Sequence, residues 1–134
     1  MNAGITRSLD GLPAAVNVAG HAAGKAWDKA ADIFRAGLKQ VSSPELAVRL
    51  HEVLLSAGKK PDADRWAAEW QRTQPKDAAF PFYLGSRALA AKDMSEGLRQ
   101  FERVLALQPG NVVALNNAAW IKGRKDSMHL RAQW

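Results

Sequence analysis

The feature that most constrains this chain is a helix stop that recurs. Residues 101–120 read FERVLALQPGNVVALNNAAW, an apolar helical stripe that runs into Pro-Gly-Asn and resumes at once. A shift of 34 residues places Pro75 on Pro109, Leu50 on Leu84, Ala63 on Gly97 and Asp77 on Asn111. Thr73-Gln74-Pro75-Lys76-Asp77 thereby aligns with Leu107-Gln108-Pro109-Gly110-Asn111. Proline cannot continue a helix. Asp and Asn carry a side-chain oxygen that accepts from the exposed N–H groups of the helix that follows. Such short connections join antiparallel helical neighbours, and a fixed period of this size is the mark of a repeat architecture.

Composition agrees with an all-α fold. Alanine is abundant and β-branched runs are scarce, and alanine loses no side-chain entropy in a helix. With 134 residues the chain is long enough for one domain or a short repeat array. It has no cysteine, which excludes disulfides, a thiolate metal site and a cysteine nucleophile. No run approaches the roughly 18 apolar residues of a membrane span. MNAGITRSLDGLPAAVNVAG is broken by Asn, Gly and Pro and lacks the layout of a signal peptide.

The pattern gives seven expected helices, at about 12–23, 26–40, 44–57, 60–73, 77–91, 94–107 and 111–122. Leu98, Phe101 and Leu105, with Gly97 and Val104, form one stripe at helical spacing; Ala63, Trp66, Ala67 and Trp70 form another. The implied organisation is a flexible stretch at 1–11, a helical array over 12–122, and a basic tail at 123–134. The units of the array are 12–43, 44–77, 78–110 and a partial unit at 111–122. The tail either folds back as a capping helix or frays as a terminus.

A 34-residue helix-turn-helix period resembles the tetratricopeptide (TPR) repeat. In one unit Leu84-Gly85, Gly97, Phe101, Val104-Leu105 and Pro109 carry the resemblance; in the unit before it, Leu50, Gly58, Ala63, Trp70 and Pro75 do. Less regularly, Trp27, Ala30 and Phe34 fit the second helix of an earlier unit, at an offset of 33. Ala88 stands where the family has tyrosine, and Gly97 where alanine is usual. The resemblance implies a solenoid of about three repeats plus a partial capping repeat. Phrases such as Ala114-Leu115-Asn116-Asn117 with Trp120 are similar to the large TPR proteins of bacterial PEP-CTERM/exosortase systems. That narrower likeness implies a link to exopolysaccharide export or protein sorting, in a periplasmic or membrane-associated assembly; otherwise a cytoplasmic place is expected.

In TPR arrays the first helices line a concave groove that binds proteins or peptides. The resemblance places Arg49, Glu52, Phe82, Tyr83, Ser86, Asn116, Asn117 and Trp120 there. The family's carboxylate clamp finds only Arg49 and an Asn of the pair 116–117, and Ala79 stands at a position the clamp makes basic. No enzyme, cofactor or metal site is expected. His21, His51 and His129 fall in different units without ligand spacing, and the glycines lack the strand–loop–helix setting of a phosphate loop. Asp62 and Asp64 open a helix, where they suit its dipole.

Two other functions compete with a protein-binding scaffold. Formal net charge is +6, and half of it sits in residues 122–134, where Lys122, Arg124, Lys125 and Arg131 oppose Asp126. A basic helical repeat that binds nucleic acid would use that cluster. A structural oligomerisation module would use an uncovered apolar end.

Overall fold

The computed structural model describes the backbone of residues 20–132 and the side chains of residues 24–124. Six helices follow one another in the described residues, with no strand among them. They are α1 (Gly20–Gln40), α2 (Pro44–Ser56), α3 (Lys60–Thr73), α4 (Ala79–Ala90), α5 (Met94–Leu107) and α6 (Val112–Ala132). The chain divides into two compact units between Thr73 and Gln74.

The period is written in the backbone as well as in the letters. From Lys60 to Met94 and from Thr73 to Leu107, the start and end of α3 and α5 differ by the same 34 residues. Helix starts repeat too. Ser43 Oγ accepts from the Leu46 N–H at 3.3 Å, Asp77 Oδ2 from the Phe80 N–H at 3.3 Å, and Asn111 Oδ1 from the Ala114 N–H at 3.0 Å. Asp77 Oδ1 takes the Ala79 N–H as well, at 2.9 Å. Each bond satisfies a donor that no turn of the helix can reach, a contribution of about 1 kcal/mol per cap.

Helix ends repeat in the same register. α2 closes through Gly58 at φ 74° and α4 through Lys92 at φ 64°. The Lys59 N–H donates to Leu54 O at 2.9 Å, and the Asp93 N–H to Ala88 O at 2.8 Å. Both are helix closures through a single left-handed residue, a backbone that glycine adopts freely and lysine does not. Asp93 then caps α5, its Oδ1 accepting from the Glu96 N–H at 3.3 Å.

In the first unit, Trp27, Ala30, Ala31 and Phe34 of α1 meet Leu50, Val53 and Leu54 of α2 and Ala63 of α3 in one buried cluster. The spacing along α1 is that of a single helix face. Trp66 packs at the edge of the cluster and donates its indole N–H to Ala47 O at 2.9 Å. An exposed ion pair from Lys59 to Asp28, 2.8 Å, ties the α2–α3 turn to α1. Exposed pairs of this kind contribute at most about 1 kcal/mol.

In the second unit, Phe101 and Val104 of α5 pack with Ala114, Ala118 and Ile121 of α6. Phe82 and Leu89 of α4 pack against them. Gly85 is what lets α4 approach. A methyl group there would lie 3.1 Å from three carbons of the Phe101 ring. At Gly97 a methyl would meet only the tip of Ile121 at 3.4 Å and backbone atoms at 3.6 Å and beyond.

Two sequence-based boundaries change. The break expected near residues 24–25 is absent, and α1 runs unbroken from Gly20. Gly24 is flanked by Ala22, Ala23 and Ala26, and one glycine costs a helix only about 1 kcal/mol. The rest of the expected first helix, residues 12–19, lies outside the described residues, as does the stretch 1–11. At the other end, α6 continues through Ala132 instead of stopping near 122. Residues 124–132 contain no Pro or Gly to end it, so the tail extends the last helix rather than folding back as a separate one.

Gly85→Ala is expected to destabilise the chain by about 1–3 kcal/mol through overpacking against Phe101. Gly97→Ala, where contact is ordinary, should be neutral or stabilise by up to about 1 kcal/mol. Urea denaturation of both variants checks the contrast, and equal losses would contradict the packing described.

Candidate functional site

A groove of about 460 Å³ opens in the second unit. It is lined by Leu89, Ala90 and Lys92 at the end of α4, Met94 at the start of α5, and Asn117, Trp120 and Arg124 of α6. The capped turn at Asp93 sets α5 off sharply, which brings Lys92 and Met94 to the same opening. On α6, residues 117, 120 and 124 share one face by their spacing.

The lining combines three chemistries. Leu89 and Met94 are apolar and half-buried. Trp120 is 51% exposed, an unusual state for a large aromatic. The Arg124 guanidinium lies over the Trp120 ring, 5.3 Å from its centroid. Such a stack holds the ring and the charge in one fixed geometry. Asn117 adds a side-chain amide that both donates and accepts.

Of the eight residues that the sequence nominates, two line this groove. Asn117 and Trp120 line the groove. Asn116 is exposed on α6 outside that lining. Phe82 is engaged in packing, with its ring edge-on to Phe101 at a centroid distance of 5.7 Å. Tyr83 stands beside Phe80, with Arg87 5.9 Å from its ring centroid. The Ser86 hydroxyl donates back to Phe82 O at 2.9 Å. Arg49 and Glu52 belong to the first unit, where they form an ion pair with each other at 3.6 Å along α2.

Sequence reasoning missed Leu89, Met94 and above all Lys92. A signal for Lys92 was present, since the 34-residue shift places it on Gly58. A lysine that replaces a turn glycine is an irregularity of the repeat. Arg124 was noticed only as part of the tail charge.

The remaining aromatics and polar groups have structural places. Trp27 and Trp70 are buried, and Trp66 stands 5.9 Å from Trp70 between ring centroids. His51 is buried on α2; the side chains of His21 and His129 lie outside the described residues. Gln100 is buried and donates to Glu96 Oε1 at 2.7 Å. Among the described residues no group of three His, Asp or Glu side chains could hold a metal ion. No helix among them is long and apolar enough to cross a membrane. In the basic cluster, Lys122 pairs with Glu102 at 3.6 Å and Arg124 stacks on Trp120. Lys125 and Arg131 have side chains outside the described residues.

No protein-family model matches this chain, and none of the curated proteins matches it.

Phe82→Ala is expected to lower stability by roughly 2 kcal/mol or more, because it empties a place against Phe101. Trp120→Ala should cost less than Phe82→Ala, since Trp120 is already 51% exposed. Chemical denaturation of the two variants separates the packing residue from the groove residue; a large loss at Trp120 would place it in the core.

Proposed function

We propose that this chain is part of a non-catalytic TPR-type repeat protein that binds a protein segment. The observation that carries the reading is the groove in the second unit, which an exposed Trp120 lines together with apolar Leu89 and Met94. Aromatic and Arg side chains at a concave site are the residues on which binding energy concentrates, and an apolar groove with a few fixed polar groups suits a peptide better than a flat partner. The repeat assignment is supported by the 34-residue register shared by helix bounds, caps and left-handed turns. A role in export or sorting rests on the phrase likeness around Asn116, Asn117 and Trp120 alone.

Selection of a random-peptide display library on the full chain tests this. The expected result is enrichment of peptides whose affinity falls about thirtyfold in Trp120→Ala, the loss of one interface anchor of about 2 kcal/mol. Enriched peptides that bind wild type and Trp120→Ala alike, or no enrichment, would overturn the groove as the binding site.

A further inference from the structure

The groove has a charge as well as a shape. Among the described residues its lining includes two cations, Lys92 and Arg124, and no carboxylate. Among the described residues, the carboxylates elsewhere in the second unit are engaged. Asp77 and Asp93 cap α4 and α5, Glu96 holds Arg99 and Gln100, and Glu102 pairs with Lys122. Over residues 74–124 seven basic side chains stand against four acidic ones. No carboxylate among the described lining residues neutralises the two cations.

Lys92 is the telling residue. The same turn in the first unit is made by Gly58, with the same hydrogen bonds and nearly the same φ. Lysine is disfavoured in left-handed backbone, where its Cβ crowds the neighbouring carbonyl. A turn that glycine would make without strain therefore carries a strained lysine, and that lysine lines the groove. Strain of this kind persists where the side chain serves the site.

We propose that the groove binds an acidic protein segment, in which an apolar side chain seats between Leu89, Met94 and Trp120 while flanking Asp or Glu side chains meet Lys92 and Arg124. This rests on the peptide-binding reading above and names the partner's chemistry. Arg124 lies over the Trp120 ring, a contact that favours one placement of its guanidinium beside the groove. Lys92, at the end of α4, supplies a compact point charge to the same groove.

The test uses the full chain and three fluorescein-labelled peptides read by anisotropy. One alternates Leu and Phe with Asp and Glu, the second has Gln at the acidic positions, and the third has Lys there. A single-stranded oligonucleotide of mixed sequence is the fourth probe. Binding of the acidic peptide at least tenfold tighter than the Gln peptide, with the Lys peptide weakest, is the expected result. In the double variant Lys92→Gly with Arg124→Gln that advantage should fall to within about twofold. Lys92→Gly relieves the left-handed backbone, so the thermal midpoint of Lys92→Gly alone should not fall, and lost binding cannot be ascribed to unfolding. Equal affinity for acidic and Gln peptides would overturn the acidic partner while leaving Trp120-dependent peptide binding intact. Tighter binding of the oligonucleotide than of the acidic peptide would overturn it in favour of nucleic acid. If no peptide binds in this assay or in the display selection, both readings fall.

Discussion

Everything in this chain depends on how a helix can start within a few residues of the previous one ending. The first N–H groups of a helix have no partner inside it, and a short loop offers few alternatives. Ser43, Asp77 and Asn111 solve the problem with side-chain oxygens, at steps of 34 residues. With starts fixed this way, loop length fixes which apolar faces meet. α4 can lie against α5 only because Gly85 clears the Phe101 ring. The groove follows from the same device, since the Asp93 cap turns the chain at the point where Lys92 and Met94 reach the opening.

Much of the fold was legible because its signals are local. Pro75, Asp77, Pro109 and Asn111 announce helix ends and starts by chemistry that needs no tertiary context. Stripes such as Trp27, Ala30, Phe34 and Leu98, Phe101, Leu105 announce buried faces by spacing alone. Where the reading failed, a weak local signal had been trusted. The gap expected between helices at 12–23 and 26–40 closes, because an alanine-rich neighbourhood carries Gly24 within a helix, and Gly123 likewise does not end α6.

The site was less legible, for a different reason. Family position put Phe82 in a groove, yet its ring serves the α4–α5 contact, and only geometry distinguishes the two faces of one helix. The resemblance nominates Asn117 and Trp120, and both line the groove of the second unit. Lys92 could be recognised only by comparing the two turns and asking why one lacks its glycine. A departure from a repeat carries information when it costs stability, because packing does not explain it.

The measurement that tests the periodic account most directly is a duplication. A second copy of residues 78–111 is inserted after Asn111, so that Asn111 caps the inserted unit and the copied Asn caps α6. Circular dichroism and urea unfolding are then compared with the original chain. If the 34-residue register defines an interchangeable module, helical signal rises by about one unit's share and unfolding stays cooperative with equal or greater stability. An insert that adds no helix, or that lowers the stability of the whole chain, would contradict the account.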